Sequence, residues 1–452
     1  MINGAVYNVL DYGADPTGVL VSTTAIQAAI NAAQATVSGG LRGGGVIYFP
    51  AGLYKSGELT VTAQFISFKG DGPTASTIIS SGVVNPLLKI SLGSLPASVI
   101  NSPSFIRDLK FEGGGLANQL LLIQNVAQYR VQNCWFEGDG VTVTTVGLDS
   151  SIIGEFQDCI IRYATQFGLH IYQSAGSATT PNIITFRSCQ FIRGYTFGAK
   201  VENGTQISFY DCDFSANGDA ATGTTSVGGL WVVNSAPDGV GPGVNLYGCW
   251  FEQNIGTHLR VDQRGFPPGA TNVYNSCFVN AAASYCIYAS EPTVGNRTTV
   301  NVYNSTFANA LIADVAYSAS TSGNFVNNSY STISIDATSN ANILPFTTGN
   351  SRSGADLQSF GTLILTDNST TPSVIRAGVY LASNTSATSI TDFINGGEGQ
   401  VLIVNATNGN TTLVNSASLR LAGATNKTMA TRDVIQLTRQ NSVWYQMSYS
   451  TN

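Results

Sequence analysis

The residues of this 452-residue chain best suited to chemistry are charged and aromatic side chains at equivalent positions of a repeating segment. Each segment alternates apolar residues with other types, as Leu169 and Ile171 do around His170, so it is predicted to be a strand with one buried face. Outward-facing residues would then form two columns. The first reads Asp149, His170, Lys200, Trp231, Arg260 and Tyr288, and the second reads Ser151, Tyr172, Glu202, Val233, Asp262 and Ser290.

Two acids share the second column. Glu202 and Asp262 lie two segments apart, which places their backbones about 9.6 Å from each other at about 4.8 Å per strand. Carboxyl groups separated by roughly 6.5–9.5 Å suit inverting hydrolysis of a glycoside, with one as general acid and the other activating water. Glu202 and Asp262 are therefore predicted to be catalytic. The alternative is that they only form surface ion pairs with Lys200 and Arg260.

The other outward side chains fit the recognition of a saccharide. Aromatic rings stack on sugar rings, and charged groups orient hydroxyls or carboxylates. Lyase chemistry stays open as well, because elimination next to a uronate carboxylate needs a cation and a base, which this face could supply. The columns hold no dense run of carboxylates suited to calcium, so no metal site and no cofactor are predicted. The residues predicted to bind substrate are His170, Tyr172, Lys200, Trp231, Arg260 and Tyr288.

Five acids outside the two columns have simpler interpretations. Glu112, Glu137 and Glu252 each follow the last aromatic residue of a strand and are expected at solvated loop entrances. Asp158 and Asp211 precede cysteines and are expected to hydrogen-bond the amides of turns. The three glutamates remain alternatives to the predicted catalytic pair.

The strands that would position the columns belong to a cysteine repeat. Six of the seven cysteines have an apolar residue two positions later, and they follow one another at intervals of 23 to 37 residues. A unit of this length, with three short strands and one variable loop, is typical of a parallel β-helix. The cysteines are predicted to stack inside it as small hydrophobic residues. They are Cys134, Cys159, Cys189, Cys212, Cys249 and Cys277.

The composition excludes several kinds of partner. Charged residues make up 10% of the chain, against roughly 25% in an average soluble protein. The net charge of −6 argues against nucleic acid, because binding phosphates requires clustered Lys and Arg. No run approaches the length of about 18 apolar residues that a transmembrane helix needs, so no membrane insertion is predicted. The first residues show no signal peptide pattern.

Three segments near the N-terminus carry a resemblance to a known family. They are residues 7–18 (YNVLDYGADPTG), 24–30 (TAIQAAI) and 43–54 (GGGVIYFPAGLY). They resemble the opening of pectate-lyase-superfamily β-helices, especially bacteriophage tailspikes and capsule depolymerases. The resemblance implies the fold and does not specify the chemistry. Ser22 or Thr23 can cap a helix that is predicted to cover the open end of the β-helix.

Alternating strands without the cysteine units return from about residue 355 and indicate a separate β-sandwich. They include residues 362–365, 399–404 and 434–437. The stretch 393–400 and the ending around Trp444 resemble modules that follow β-helices in phage tail proteins. Such modules commonly support trimers, so the resemblance implies a homotrimer.

The predicted fold is all-β, with a right-handed parallel β-helix, an N-terminal capping helix and a C-terminal β-sandwich. The predicted bounds are 1–40 for the N-terminal segment, 41–330 for the β-helix, 331–354 for a linker and 355–452 for the sandwich. The resemblance implies a virion tailspike that binds and depolymerises a bacterial surface polysaccharide (capsule, exopolysaccharide or O-antigen), with other tail proteins as further partners. Hydrolysis is preferred. The alternatives are a non-catalytic receptor-binding tail protein and a uronate-directed polysaccharide lyase.

Overall fold

Short strands of the chain pair in parallel with strands one coil earlier, which builds a right-handed parallel β-helix in the computed structural model. The chain divides into two units, Met1–Gly354 and Ala355–Asn452. The first is the predicted β-helix and the second contains a β-sandwich. The structure describes residues 5–38, 43–93, 104–177, 179–218, 226–234, 243–263, 269–279, 283–290, 298–308, 313–317, 321–330, 333–335, 346–348, 351–352, 363–374 and 378–451.

Three sheets form the sides of the β-helix, and each coil passes from sheet 1 to sheet 2 and then to sheet 3. The described strands of sheet 1 are Val6–Asn8, Gly45–Phe49, Ile66–Gly70, Ser104–Arg107, Ala127–Gln132, Ile152–Gln157, Asn182–Arg187, Thr205–Tyr210, Val244–Tyr247, Ala270–Tyr274, Thr298–Tyr303, Thr321–Ser322, Asn324–Val326 and Phe346–Thr348. Those of sheet 2 are Thr17–Val21, Gly52–Ser56, Ser76–Ser80, Lys110–Glu112, Trp135–Glu137, Ile160–Arg162, Gln190–Ile192, Asp213–Ser215, Trp250–Glu252, Cys277–Val279, Thr306–Phe307, Ser329–Tyr330 and Ser351–Arg352. Those of sheet 3 are Leu59–Val61, Leu88–Ser91, Gln119–Gln124, Thr144–Asp149, Phe167–Tyr172, Phe197–Glu202, Gly228–Asn234, Gly256–Gln263, Ala283–Ser290, Ala313–Tyr317 and Ile333–Ile335.

A single residue turns the chain from sheet 1 to sheet 2 in successive coils. Its φ lies between 48° and 63°, a left-handed conformation that Asn, Asp and Gly adopt at low cost. Asp158 and Asp211, which the sequence places at turns, belong to this set. The side-chain amide of Asn133 donates to Asp108 of the preceding coil over 2.8 Å. The turn residues are Asp108, Asn133, Asp158, Ser188, Asp211, Gly248, Asn275, Asn304 and Asn327.

The interior of the β-helix consists of side chains that stack from coil to coil. Along sheet 2, the rings of Phe191, Phe214, Phe251 and Phe278 have centroid separations of 4.9, 4.8 and 4.6 Å. Each buried aromatic pair contributes about 0.5–1.5 kcal/mol beyond the burial of its area. Because all of these rings are fully buried, the stack keeps neighbouring coils in register and with them the outward columns.

Five of the six repeat cysteines are buried, as predicted, namely Cys134, Cys159, Cys189, Cys212 and Cys249. Each thiol donates to the carbonyl two residues earlier, as Cys134 Sγ does to Gln132 O over 3.3 Å. Burial raises the pKa of the Cys134 and Cys249 thiols to about 12. These cysteines are therefore interior packing residues.

The prediction for Cys277 is wrong. Cys277 pairs with Trp250 on the outer face of sheet 2 and is only partly buried. The reason is that Asn275 takes the turn position, so that the next residue, Ser276, occupies the interior corner. The Ser276 hydroxyl accepts a hydrogen bond from the Cys249 amide over 3.2 Å, and Ser276 thus continues the ladder in place of a cysteine.

The predicted helix, α1 (Thr23–Ala35), contacts the first strands of sheets 1 and 3 at the N-terminal end of the β-helix. Its buried stripe is Ile26, Ala29, Ile30 and Ala33. Ser22 does not cap the helix with its side chain, because its hydroxyl accepts from the Asp15 amide over 2.8 Å instead. A short 3₁₀ helix, Val9–Tyr12, precedes α1. No helix among the described residues is long and apolar enough to cross a membrane.

Coils of the β-helix extend beyond both ends of the range predicted for it. Val6–Asn8 and Thr17–Val21 already belong to sheets 1 and 2. Ile333–Ile335, Phe346–Thr348 and Ser351–Arg352 continue sheets 3, 1 and 2 within the segment predicted to be a linker. Weak hydrophobic alternation made these short strands difficult to recognise in the sequence.

The second unit has two sheets around a separate apolar core. The described strands of its larger sheet, sheet 4, follow the order Leu363–Ile364, Gly378–Ala382, Val401–Ala406, Val434–Gln440, Val443–Ser450 and Leu419–Arg420. Those of the smaller sheet, sheet 5, are Thr388–Ile390, Thr411–Leu413 and Lys427–Met429, and a 3₁₀ turn spans Ala422–Ala424. Trp444 is fully buried at the centre, where its indole nitrogen donates to Phe393 O over 2.7 Å.

Candidate functional site

The residues predicted to act on a substrate lie together on the outer face of sheet 3. The strand register pairs His170 with Lys200, Lys200 with Trp231, Trp231 with Arg260 and Arg260 with Tyr288, which confirms the predicted alignment of the first column from His170 to Tyr288. The second column has Tyr172, Glu202 and Asp262 two residues further along the same strands. The name "sheet 3 site" is used below for His170, Tyr172, Lys200, Glu202, Trp231, Arg260, Asp262 and Tyr288.

The first segment of the predicted columns was misaligned by two residues. Gly147 pairs with His170, and Asp149 pairs with Tyr172, so Asp149 belongs to the second column. Ser151 lies beyond the strand, where it is buried and donates to Ile123 O over 3.0 Å. The cause is that the strand already starts at Thr144, two residues earlier than the alignment of Gly147 with Gly168 had placed it. Glu202 and Asp262 are therefore not the only acids of their column.

Asp149 is engaged in hydrogen bonds within the chain. It is buried and accepts from the Gln124 side chain over 2.7 Å, the Ser150 hydroxyl over 2.8 Å and the Ser174 amide over 2.9 Å. A buried carboxylate is tolerated when several donors satisfy it. Asp149 therefore stabilises the loop that carries Ser174 at the edge of the site.

Aromatic rings and cations alternate along the sheet 3 site. Lys200 Nζ lies 5.2 Å from the centre of the Phe167 ring and 4.7 Å from that of the Trp231 ring. Arg260 Cζ lies over the Trp231 ring at 5.1 Å. Cation–π contacts of this kind are worth roughly 0.5–2 kcal/mol, more where water is excluded. The indole is thus flanked by Lys200 and Arg260, and it holds both cations in place rather than offering two open faces to a sugar.

Glu202 connects two of the predicted substrate-binding residues. Its Oε2 accepts from Lys200 Nζ over 2.6 Å and lies 2.9 Å from His170 Nε2. Because an ionised carboxylate only accepts hydrogen bonds, Nε2 is the donor in the second contact. Side-chain exposure is 17% for Glu202, so the carboxylate still reaches solvent.

His170 is held neutral by its surroundings. Burial lowers the pKa of His170. The hydrogen bond that His170 donates to Glu202 opposes this effect, and the charge of Lys200 reinforces it. The Tyr172 ring stacks on the imidazole with centroids 4.5 Å apart. Burial, assisted by the charge of Asp149, raises the pKa of Tyr172 to about 12, so the phenol keeps its proton at neutral pH.

Asp262 differs from Glu202 in its access to solvent. Its side chain is 0% exposed. Its Oδ2 accepts from Arg260 Nε over 2.5 Å and from Trp231 Nε1 over 3.0 Å, and its Oδ1 accepts from the Ser290 hydroxyl. The ion pairs that the sequence offered as an alternative to catalysis are therefore present for both acids. Asp262 in addition positions the Trp231 ring.

Sequence reasoning missed three aromatic residues at the edge of the site. Phe167 lies 5.1 Å from His170 and 6.5 Å from Trp231, and Phe197 lies 5.4 Å from Trp231, all between ring centroids. Tyr285 lies 5.1 Å from Tyr288. The repeated dipeptides Phe167-Gly168 and Phe197-Gly198, each at the start of a sheet 3 strand, were the signal that could have revealed two of them.

The glutamates considered as alternatives lie on sheet 2 at the ends of its strands. Glu137 pairs with Lys110 over 2.6 Å and with Arg162, and Glu112 also contacts Lys110. Glu252 accepts from Trp250 Nε1 over 3.0 Å. The ion pairs of Glu112 and Glu137 show that these two carboxylates are bound in a charged network rather than simply solvated. Within the described part of the chain, no group of three or more His, Cys, Asp or Glu residues could hold a metal ion.

The sequence of the chain matches a known protein family. Residues 6–236 match the family described as rhamnogalacturonase A/epimerase, pectate lyase-like, and the match spans about half of the chain. The protein therefore belongs to this pectate lyase-like family, which agrees with the resemblance of its N-terminal segments. No curated protein sequence matches the chain significantly.

Solved structures share the fold at low sequence identity. The ORF18 protein of Geobacillus virus E2 is 17% identical over 77% of this chain, with a TM-score of 0.52, and the match spans 62% of the viral protein. The catalytic unit of an α-1,3-glucanase from Streptomyces thermodiastaticus is 17% identical over 79% of this chain and 70% of its own, with a TM-score of 0.55. The gp42 tailspike of Acinetobacter phage AS12 is 10% identical, covers 100% of this chain and 81% of its own, and gives a TM-score of 0.52.

Proposed function

We propose that this protein is a phage tailspike that binds a bacterial surface polysaccharide on the sheet 3 site and cleaves its glycosidic bonds. The observation that carries the proposal is the concentration of His170, Lys200, Glu202, Trp231, Arg260 and Asp262 on four consecutive strands of one outer face. In a chain with 10% charged residues, such a concentration of charged and aromatic side chains is unusual. Aromatic and charged side chains suit sugars, which present hydroxyls and flat ring faces.

Two comparisons support the tailspike part of the proposal. The chain belongs to a pectate lyase-like family, and the phage AS12 tailspike shares its fold over the whole chain, including the second unit. A tailspike acts outside the cell at the host surface as part of the virion tail. The whole phage particle and a bacterial polysaccharide would then be the partners of this chain.

The two acids would divide the chemistry according to their exposure. Glu202 reaches solvent and would exchange a proton with the glycosidic oxygen or with the attacking water. Asp262 is the proposed second carboxylate, and its bonds to Arg260 and Trp231 would have to open for it to activate water. If those bonds stay closed, Asp262 positions Arg260 and Trp231 and Glu202 acts with a different partner.

Elimination is the second candidate reaction, and the state of His170 supports it. A neutral imidazole can accept the proton next to a uronate carboxylate, while Lys200 and Arg260 stabilise the negative charge that develops on it. The cations are held by the Trp231 ring, so they need little reorganisation when a carboxylate arrives. This mechanism requires an acidic polysaccharide.

The experiment that tests the proposal treats purified capsular and lipopolysaccharide fractions with the protein. New reducing ends without absorbance near 235 nm would support hydrolysis, and absorbance there would support elimination. Binding without either product would identify a receptor-binding tail protein that does not cleave. Failure to bind any fraction from bacteria that its phage infects would contradict the proposal.

A further inference from the structure

Trp250 is an exposed tryptophan on the outer face of sheet 2. Its exposure is 43%, and the residues that pair with it in the preceding and following coils are Asp213 and Cys277. Neither neighbour is a cation or an aromatic residue, whereas two cations flank the Trp231 indole. Among the described residues, the Trp250 ring therefore lacks the cation contacts that occupy Trp231, and its faces are open to a ligand.

Glu252 holds this indole in a fixed orientation. Trp250 Nε1 donates to Glu252 Oε2 over 3.0 Å, and both residues point outward because they lie two positions apart on one strand. The bond engages the nitrogen edge of the ring and not its faces. A ring that is already oriented loses little conformational freedom on binding, which favours stacking on a sugar.

Two carboxylates accompany the indole. In the described part of the chain neither Asp213 nor Glu252 forms an ion pair, whereas Glu137 on the same sheet contacts two cations. Burial raises the pKa of Asp213, the hydrogen bond from the Ser215 hydroxyl opposes this effect, and the charge of Glu252 reinforces it. The surroundings of Asp213 therefore disfavour a further negative charge. The name "sheet 2 platform" is used below for Asp213, Trp250 and Glu252.

These features define the kind of ligand that fits. Carboxylate oxygens accept hydrogen bonds from sugar hydroxyls, and an indole face packs on the apolar face of a sugar ring. Because no described cation pairs with its acids, the sheet 2 platform is unsuited to a uronate or another anionic sugar. The sheet 3 site differs, since Lys200 and Arg260 provide cations for an anionic sugar.

The sheet 2 platform lies beside the sheet 3 site. Asp213 belongs to the same coil as Trp231, and Trp250 belongs to the same coil as Arg260 and Asp262. The two sites are therefore at the same height of the β-helix, on adjacent sides. A polysaccharide bound at one site holds its neighbouring sugars close to the other, and a tethered second contact of this kind strengthens binding through its high effective concentration.

We propose that the sheet 2 platform is a second saccharide-binding site, which takes an uncharged sugar of the polysaccharide that the sheet 3 site binds. Trp250 stacks on the sugar ring, Asp213 accepts hydrogen bonds from its hydroxyls, and Glu252 orients the indole. The inference rests on the proposed function, because it assigns both sites to one polymer. It assigns no bond cleavage to sheet 2.

Cys277 reports on occupancy of this site, because it pairs with Trp250 one coil further on and is partly exposed. The full chain is labelled with a thiol reagent, with and without the purified capsular or lipopolysaccharide fraction that it binds. At about ten times the dissociation constant of the polysaccharide, labelling of Cys277 is expected to slow about tenfold, because only the unoccupied site reacts. Binding without protection of Cys277 would overturn the inference and leave the proposed function intact, whereas failure to bind every fraction would contradict both.

A substitution tests the same site by affinity. Trp250→Ala is expected to weaken polysaccharide binding at least about tenfold in calorimetric titration, because the polymer loses its second contact. Trp135→Ala is the matched control and should bind as the wild type does, since Trp135 lies on the same outer face but its ring centre is 6.0 Å from Arg162 Cζ. Circular dichroism checks that both variants are folded. Wild-type affinity in folded Trp250→Ala, or protection of Cys277 that persists in it, would overturn the inference.

Discussion

The outer faces of sheets 1 and 3 differ in what repeats along them. On sheet 1, Tyr210, Tyr247, Tyr274 and Tyr303 stack with centroids 4.7, 5.0 and 5.2 Å apart. Beside them, Asn272 donates to Asn245 over 2.9 Å and Asn301 to Asn272 over 2.8 Å. On sheet 3 the equivalent column reads His170, Lys200, Trp231, Arg260 and Tyr288.

This difference assigns stability to the outer face of sheet 1 and the proposed chemistry to the outer face of sheet 3. In a column of identical residues, each ring stacks on the equivalent ring one coil away, and each asparagine amide hydrogen-bonds the equivalent asparagine. A column of different residues binds its members by charge and cation–π contact, and it presents cations and carboxylates at defined places. We therefore expect substitutions on sheet 1 to change the free energy of unfolding, and those on sheet 3 to change turnover and binding.

The largest expected effect is on turnover. Glu202→Gln and Asp262→Asn should each reduce cleavage by about a hundredfold or more, because each removes a group proposed for proton transfer. Binding of the polysaccharide should largely survive in Glu202→Gln. Initial rates of product release measure the effect, and Glu252→Gln on sheet 2 is the control.

The pattern of these losses also identifies the reaction. Full activity in both carboxamide variants, with loss in Glu252→Gln or Glu137→Gln, would move the chemistry to sheet 2. Full activity in both, with loss on substitution of Lys200 or Arg260, would indicate a lyase. If the activity lost in Asp262→Asn matches a fall in the amount of folded protein, Asp262 positions Arg260 and Trp231 and does not transfer a proton.

The second effect is on the pH dependence of stability through His258, which has no histidine counterpart in the neighbouring coils and is buried in the interior of the β-helix. It stands where neighbouring coils have Gly198 and Gly229, fully buried between the rings of Phe251 and Phe278. Burial lowers the pKa of His258 from 6.5 to about 3. The unfolded chain therefore binds the proton more readily than the folded one, so the stability is fully present above pH 6.5 and is lost as the pH falls towards 3.

Unfolding measured between pH 7 and pH 4 tests this. The wild type should lose about 1.4 kcal/mol per pH unit from His258 within that window. His258→Gln should have a shallower slope. The chain has only two histidines, so His170→Gln is a matched control that keeps the contribution of His258. Equal slopes for His258→Gln and the wild type would contradict the assignment.

The third effect is on binding through Trp231. Trp231→Ala removes the ring between Lys200 and Arg260 and the donor to Asp262, so both cations lose their fixed positions. Polysaccharide binding is expected to weaken by about 1–2 kcal/mol, the scale of the two cation–π contacts that position Lys200 and Arg260. Calorimetric titration with a purified polysaccharide measures it. Unchanged affinity would show that the substrate does not contact this part of sheet 3.

The fourth effect is on stability through the tyrosine ladder. Tyr247→Leu removes two stacked pairs and should reduce the free energy of unfolding by about 1–2 kcal/mol. Turnover should stay at the wild-type value, because Tyr247 lies on sheet 1. Denaturant unfolding and the cleavage assay are read on the same preparation. A loss of turnover in the folded variant would break the distinction between the two faces.

The smallest effect is a difference in thiol reactivity. Cys277 on the outer face of sheet 2 is partly exposed, whereas the cysteines of the interior ladder are buried. Cys277 should therefore react first with a thiol reagent in the native protein, and Cys134 and Cys249 should react only on unfolding, since burial raises their pKa to about 12. Peptide mapping of the labelled sites checks the order. Early labelling of Cys134 would contradict the interior ladder.

Local pattern in the sequence was sufficient for the β-helix, most of its inward residues and the two columns from the strand of His170 onward. Residues such as Ile171 and Val201 alternate with period two, and the turn residues before the cysteines mark each coil. These features depend only on neighbours along the chain, so they can be read without the structure. The same pattern failed at Cys277, where the turn lies one residue earlier than predicted, and at Asp149, where the strand starts two residues earlier than predicted.

The tertiary structure alone decided how the site residues are connected. Glu202 and Asp262 look equivalent in the sequence, yet one reaches solvent and the other is enclosed by Arg260, Trp231 and Ser290 from three strands. The contacts of Asp262 with Trp231 and Ser290 join residues 31 and 28 positions apart, and the variable loops between strands determine which of them meet. Burial and cross-strand hydrogen bonds exist only in the folded chain. The sequence could therefore name the site residues and the ion pairs that Glu202 and Asp262 form within their own strands, but it could not assign their partners on other strands.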